Sequence, residues 1–199
     1  MSTDLERRLR GYAAPDELQP PQLQGDVAYV AHDTAVGRLV LAARSDGRLL
    51  ASCYAPDAAA EDALLTRLSR LVSPRVVRDA HALDDARAAL DGYLSGQLHT
   101  LAGLPFDLAL ATPFQRDVLP ALARETTYGS RMSYGALAKA VGRPKAARAV
   151  GAALGANPLC IVLPCHRVVA GSGALTGYAG GLAAKEYLLD LEARGAPTP

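Results

Sequence analysis

Cysteine is scarce and its count is odd: three in 199 residues, at Cys53, Cys160 and Cys165. An odd number does not fit a disulfide framework. A chain of this length buries roughly 70% of the surface its unfolded form exposes and needs no such staple. The thiols fit a reducing compartment. Long apolar runs are missing too. The longest, such as Leu159–Val162, fall far short of the roughly 20 residues that span a bilayer. Met1–Arg10 is charged and lacks the apolar centre of a secretory signal. A cytoplasmic protein with no membrane partner is therefore expected. There is no internal repeat, and no low-complexity tract beyond alanine-rich stretches.

Acid is the most locally absent residue type. No Asp or Glu occurs from Thr126 to Lys185, whereas Arg131, Lys139, Arg143, Lys145, Arg148 and Arg167 all do. The formal net charge of +1 conceals the split. Residues 1–112 carry 11 Lys/Arg against 15 Asp/Glu, and residues 113–199 carry 10 against 5. A stretch with one sign of charge is what a polyanion-binding face requires. Chance composition in an arginine-rich chain is the plain alternative.

What is present divides the chain into an extension with a Pro-rich linker (1–25), a unit from 26 to 108, and a second from 109 to 199. The extension holds an amphipathic stretch, Leu5 to Tyr12, followed by Pro15, Pro20 and Pro21. The runs Val27–Ala31, Arg38–Ala43 and Leu49–Tyr54 read as strands, and Asp46-Gly47 as a hairpin turn, because both residues tolerate positive φ. Asp57–Leu71 and Asp84–Leu94 carry apolar residues at helical spacing. A small antiparallel sheet with helices is expected. In the second unit, Thr112-Pro113-Phe114-Gln115 is a capping box with proline at the first helical position. Ser133 caps a helix from Tyr134 to Val141 that Gly142 stops. Pro144 is expected to open the next, through about Ala156, before Asn157-Pro158 ends it. Two short helices around a tight turn fit a helix-turn-helix. The second is built of Ala146, Ala147, Ala149, Gly151, Ala152, Ala153, Gly155 and Ala156, with Arg148 almost its only long side chain. Small residues permit close approach to another backbone or to a narrow groove; alanine is also simply a good helix former.

Pro164-Cys165-His166-Arg167 follows the apolar run Leu159–Leu163, expected to be a buried strand. A thiol acts as thiolate, with an ordinary pKa of roughly 8.5, so it needs a neighbouring base or positive charge. Cysteine beside histidine is equally compatible with a buried structural cysteine, since sequence neighbours do not usually face each other.

Together these blocks resemble a known family. Thr112 to Glu192 is similar to the catalytic domain of the O6-alkylguanine-DNA alkyltransferases, the methylated-DNA–protein-cysteine methyltransferases. Pro164–Val168 carries that family's Pro-Cys-His-Arg-Val segment. Ser133-Tyr134, Lys145–Gly151, Asn157-Pro158, Gly180-Gly181-Leu182, Lys185-Glu186, Leu188-Leu189 and Glu192 stand in the same order. The first half resembles the family weakly. The resemblance implies a ribonuclease-H-like first domain and a mostly helical winged helix-turn-helix second domain. It implies a single, irreversible transfer of a methyl or small alkyl group from O6-alkylguanine, and from O4-alkylthymine, in double-stranded DNA to Cys165. His166 would take the thiol proton through a water, oriented by Glu192, and Tyr134 would offer a proton to the leaving base. Arg148 would enter through the minor groove and fill the place of the extruded base. Asn157 would hold the turn after the recognition helix, and the carbonyls of Cys165 and Val168 would read the guanine amine. Ser133, Ala147, Gly151, Ala152, Tyr178 and Ala179 would contact DNA or line the pocket. The protein would act as a monomer, without cofactor or metal. Three positions depart from the family. Ala179 stands where many relatives have serine or glycine, Cys160 is in the pocket wall, and Leu119 replaces a common tryptophan. A non-catalytic helix-turn-helix damage sensor and a cysteine hydrolase are the rival readings.

Overall fold

The computed structural model describes residues 25–195; the amphipathic stretch and linker expected before Gly25 lie outside it. Among the described residues the fold is mixed α/β, with a four-stranded sheet and six α-helices. Strands β1 (Val27–Thr34), β2 (Gly37–Arg44) and β3 (Leu49–Tyr54) form an antiparallel meander. Gly47 adopts φ +82° in the β2–β3 hairpin. The expectation of a wholly antiparallel sheet is corrected by β4 (Val76–Arg78), which pairs parallel to β1 at the far edge, giving the order β3-β2-β1-β4. Helix α1 (Ala58–Leu71), capped by the Asp57 side chain on Ala60 N, carries the chain across the sheet, and such a crossover returns the next strand parallel. Three residues beside Pro74 are too short a run to read as a strand from sequence.

Alternation of two residues sends side chains to both faces of the sheet, and both are covered. Val40, Ala42 and Leu50 pack with Leu64 and Leu68 of α1. On the other face Val30, Leu39 and Leu41 join Leu90, Tyr93 and Leu94 of α2 (Asp84–Leu94). That cluster continues into the second half through Val118, Leu119 and Leu122 of α3 (Pro113–Glu125) and Leu188 and Leu191 of α6 (Gly181–Gly195).

The expected capping box is present: Thr112 Oγ1 accepts from Gln115 N, and Gln115 Oε1 accepts from Thr112 N at 2.9 Å. Ser133 caps α4 (Tyr134–Ala140), and Gly142 takes φ +72° after it. Helix α5 is Ala147–Gly155, beginning three residues later than expected. Pro144 instead enters a tight turn closed by Ala146 N donating to Arg143 O at 2.8 Å. The buried run Leu159–Leu163 is a turn, not a strand. Leu163 N donates to Leu159 O at 2.8 Å, and Ile161 sits at φ +72°, a conformation β-branched residues rarely adopt. The run is held from outside, by Ser52 N to Pro158 O (2.8 Å) and Cys160 N to Ser52 O (2.9 Å), which dock it on the open edge of β3.

A buried thiol and its polar surroundings

Cys165 opens a single 3-10 turn, Cys165–Arg167, that leads into β6 (Val168–Val169), paired parallel with β5 (Met132–Ser133). Cys165 is 5% exposed, and its sulfur accepts a hydrogen bond from Asn157 Nδ2 at 3.2 Å. The same Nδ2 donates to Leu163 O at 2.9 Å, and Asn157 Oδ1 accepts from Leu159 N at 3.0 Å. Asn157 thus ties the turn at Leu159–Leu163 to the sulfur. The Cys165 thiol is pulled below its ordinary value. A hydrogen bond from the Cys160 thiol contributes most, aided by the Asn157 amide and the Lys185 charge, against burial, which opposes ionisation. Cys160 is pushed the other way, because it serves as donor and is itself buried.

His166 is fully buried. Its Nε2 lies 2.9 Å from Glu192 Oε1, and its Nδ1 has no hydrogen-bond partner among the described protein atoms. A carboxylate on Nε2 selects the Nε2–H tautomer and leaves the Nδ1 lone pair as the basic site. Burial lowers the His166 pKa despite the nearby carboxylate, so the ring is neutral at pH 7. Burial alone would raise the Glu192 carboxyl; hydrogen bonds from His166, Arg167 and Tyr93 outweigh it and hold the group at about 2. Arg167 grips both carboxylate oxygens at 2.8–3.1 Å, donates to Thr126 O, and stacks 4.6 Å over the Tyr128 ring. Tyr93 OH donates to Glu192 Oε1 at 2.6 Å and lies 3.4 Å from His166 Nε2. No direct hydrogen bond joins Cys165 to His166 among the described contacts.

Lys185, on α6, is buried with no carboxylate beside it. Its ammonium donates to Val168 O at 2.6 Å and Thr176 O at 2.9 Å. Cys165 O accepts from Val168 N. Each of these carbonyls keeps a second lone pair for another donor. Tyr178 stands edge-on to Tyr54 (5.5 Å) and to the His166 ring (6.4 Å), and its hydroxyl accepts from Tyr54 OH at 3.4 Å. Beyond the adjoining Ala179, a Cβ on Gly180 would overlap the Tyr54 ring, so the loop passes that ring only as glycine.

The small-residue helix lies alongside. Val150, Ala153 and Leu154 face inward, while Arg148, Ala149, Ala152 and Gly155 are exposed. The half-buried Gly151 runs beneath the Tyr134 ring, which a Cβ there would approach to 3.6 Å, and Tyr134 OH accepts from Thr176 Oγ1 at 3.1 Å. Ala147 begins the helix half-buried, and the Ser133 hydroxyl is committed to capping α4 through Ala136 N. Two cations leave the expected charged face. Arg167 is buried and neutralised by Glu192, and Arg143 pairs with Asp117 while lying over Phe114 at 5.3 Å. Arg131, Lys139, Lys145 and Arg148 remain exposed.

The model of a family described as the DNA-binding domain of 6-O-methylguanine DNA methyltransferase matches residues 113–194. A methylated-DNA–protein-cysteine methyltransferase of Salmonella typhimurium is 54% identical over 100 residues, half of this chain and 57% of that one. Another, of Mycolicibacterium paratuberculosis, is 39% identical over 175 residues, covering 86% of this chain and 95% of that protein. The chain belongs to the methylated-DNA–protein-cysteine methyltransferase family. The crystal structure of Mycobacterium tuberculosis OGT in complex with DNA superposes with a TM-score of 0.70 at 38% identity, covering 85% of this chain and 95% of that one.

Within this methyltransferase fold, two contributors, Tyr93 and Tyr54, come from the first half of the chain and were not read from the sequence, and Lys185 had no role there beyond a motif position. Arg167, offered by the sequence as a positive charge for the thiol, is instead committed to Glu192. Tyr93 left one trace, a polar tip inside the apolar stripe of Leu90 and Leu94. Among the described residues no group of three or more His, Cys, Asp or Glu side chains is placed to hold a metal.

Proposed function

We propose that this chain repairs alkylated DNA by one irreversible transfer of a methyl or small alkyl group from O6 of guanine, or O4 of thymine, to the sulfur of Cys165. The observation that carries this reading is the one-sided ligation of His166: Nε2 is tied to Glu192, and Nδ1 is left basic and without a partner among the described protein atoms, one residue along the chain from a thiol of lowered pKa. A water between Nδ1 and the sulfur would pass the proton, the logic of a nucleophile–base–carboxylate relay. The thiolate then attacks the alkyl carbon in line and forms a thioether. Tyr134 would supply a proton to the departing base.

The base must leave the stack to be reached, at a cost of a few kcal/mol. In this reading α4, the turn at Gly142 and α5 form a helix-turn-helix with the β5–β6 pair as its wing, and the sheet with α1 and α2 is ribonuclease-H-like. The two units, 26–108 and 109–199, share the core through which Tyr93 and Tyr54 reach the site. The small exposed side chains of α5, with Ala152 central and Ala147 and Gly151 flanking, suit a minor groove only about 6 Å wide. Arg148 would occupy the gap left by the base. Tyr178 and the Ala179 N–H would line the pocket, and the Cys165 and Val168 carbonyls would accept from the guanine amine. The protein acts as a monomer.

Cys165→Ser separates the roles. Methyl uptake from a duplex carrying methylated guanine is expected to vanish while duplex affinity stays within a few-fold. Loss of both would make the cysteine structural, and product exceeding one equivalent per chain would favour hydrolase-like turnover.

A further inference from the structure

The three cysteines, dispersed in sequence, converge around one turn. Cys53 Sγ donates to Pro158 O at 3.3 Å, Cys160 Sγ lies 3.5 Å from Asn157 O, and Asn157 Nδ2 donates to Cys165 Sγ at 3.2 Å. Two sulfurs therefore share a single residue, one on its carbonyl and one on its amide. The two thiols are also shifted in opposite directions by each other, Cys165 towards the thiolate and Cys160 towards the protonated form. The turn that brings them together is tight: Ile161 at φ +72°, Leu163 N on Leu159 O and Cys165 N on Leu163 O, both at 2.8 Å. All three thiols are free. Alkyl transfer needs only one of them.

We propose that Cys160 is a resolving thiol for Cys165, so that a peroxide converts the pair into an intramolecular disulfide that blocks the acceptor reversibly. In the proposed repair reaction Cys165, at 5% exposure, must be reached by a nucleobase, whereas Cys160, at 1%, need not be. Cys165 also carries the thiolate character that attacks peroxides, and Cys160 stays protonated. In the first step the Cys165 thiolate attacks one peroxide oxygen. The O–O bond breaks, an S–O bond forms, and the departing hydroxide leaves as water with the proton that Cys165 had given to His166. In the second, the Cys160 sulfur attacks the sulfenic sulfur. The S–S bond forms, the S–O bond breaks, and the Cys160 proton leaves with the second water. Two thiols lose two electrons and two protons, and the peroxide takes up both; a dithiol reverses the change. Without a neighbouring thiol, the sulfenic acid would proceed to sulfinic and sulfonic acids, from which the acceptor is not recovered.

The consequence for repair rests on Cys165 being the alkyl acceptor, but disulfide formation is read independently. The reduced full-length protein is exposed to hydrogen peroxide, quenched with iodoacetamide, and digested with trypsin. The peptide Ala149–Arg167, which contains both residues, is expected to be lighter by two hydrogens and to carry no carbamidomethyl group, while Cys53 is alkylated. Dithiothreitol should restore both alkylation and methyl uptake. Added oxygen atoms alone, cross-linked chains or a bond to Cys53 would overturn the proposal. Cys160→Ser, read by mass and not by rate, should drive Cys165 to oxygen adducts that dithiothreitol does not reverse; recovery equal to wild type would overturn it. Cys53→Ser should keep the disulfide, and its loss there would likewise count against the assignment. A disulfide in a protein that takes up no methyl group when reduced would sink the transfer reading alone, and methyl uptake without any disulfide would sink this one alone.

Discussion

Glu192 carries one negative charge into a fully buried position and meets four donors there: the His166 ring, the Arg167 fork, the Tyr93 hydroxyl and the Gly129 N–H. Removing the charge strands the guanidinium. Glu192→Gln is expected to destabilise the fold by about 3–5 kcal/mol, the usual result of breaking a buried pair from one side, and urea unfolding would show it. A change under about 1 kcal/mol would mean that water reaches Arg167. The same group sets an acid limit. Its folded pKa of about 2 lies below its ordinary 4.5, so its contribution is complete above 4.5 and drains as pH falls towards 2. His166, held below 6.5, acts in the same direction, because the unfolded chain takes up that proton first and stability is lost as pH drops under 6.5. Denaturant midpoints should therefore decline steadily from pH 7 to pH 4; a flat profile would contradict the buried neutral imidazole. Lys185 poses the opposite case, an ammonium buried with carbonyl partners only, whose charge favours the Cys165 thiolate. In Lys185→Met the pH profile of thiol alkylation at Cys165 should move to higher pH, and an unmoved profile would reduce Lys185 to a tether for Val168.

At the scale of elements, α5 is positioned from its far end. The Gln115 side chain, already half of a capping box, donates Nε2 to Ala153 O and Ala156 O at 3.0 and 2.8 Å, satisfying carbonyls that close α5. Gln115→Leu should cost about 1–3 kcal/mol by leaving buried acceptors unpaired, detectable as a lowered thermal midpoint. Arg148, on the exposed face of the helix, should matter only with duplex. Arg148→Ala is expected to slow methyl uptake from duplex at least tenfold and leave reaction with free alkylated base nearly unchanged; equal losses would remove its role in base extrusion. Elements defined by local chemistry were legible in the sequence. The Thr112 box, the Ser133 cap and the Asp46-Gly47 hairpin depend on neighbours within a few residues. The turn at Leu159–Leu163 was misread as a strand because its apolar run carries no turn residue. What bends it is the edge of β3 at Ser52, far away in the chain. Pro144 misled for a related reason: it fits a first helical position and a turn equally well, and the Arg143–Ala146 hydrogen bond chose the turn.

Across the whole molecule, the site is shared between halves that look separate in sequence. Cys165, His166 and Glu192 could be placed by motif, but Tyr93 and Tyr54 could not, since nothing in a linear pattern tells which face of α2 or which end of β3 will meet α6 or the loop at Gly180. Charge at this scale also differed from a count of residues: Arg167 and Lys185 are interior, and the exposed positive face is Arg131, Lys139, Lys145 and Arg148. If these four meet phosphates, the logarithm of duplex affinity should fall against the logarithm of salt with a slope of magnitude about 3–4. A slope near zero would place the DNA elsewhere. The most direct measurement of the central claim is the intact mass of the reduced protein after mixing with excess duplex containing one methylated guanine, followed by peptide mapping. The account predicts a gain of one methyl group per chain, confined to Cys165, that does not increase with more DNA or longer time. An unchanged mass, a methyl on Cys160 or Cys53, or demethylated DNA in excess of protein would contradict it.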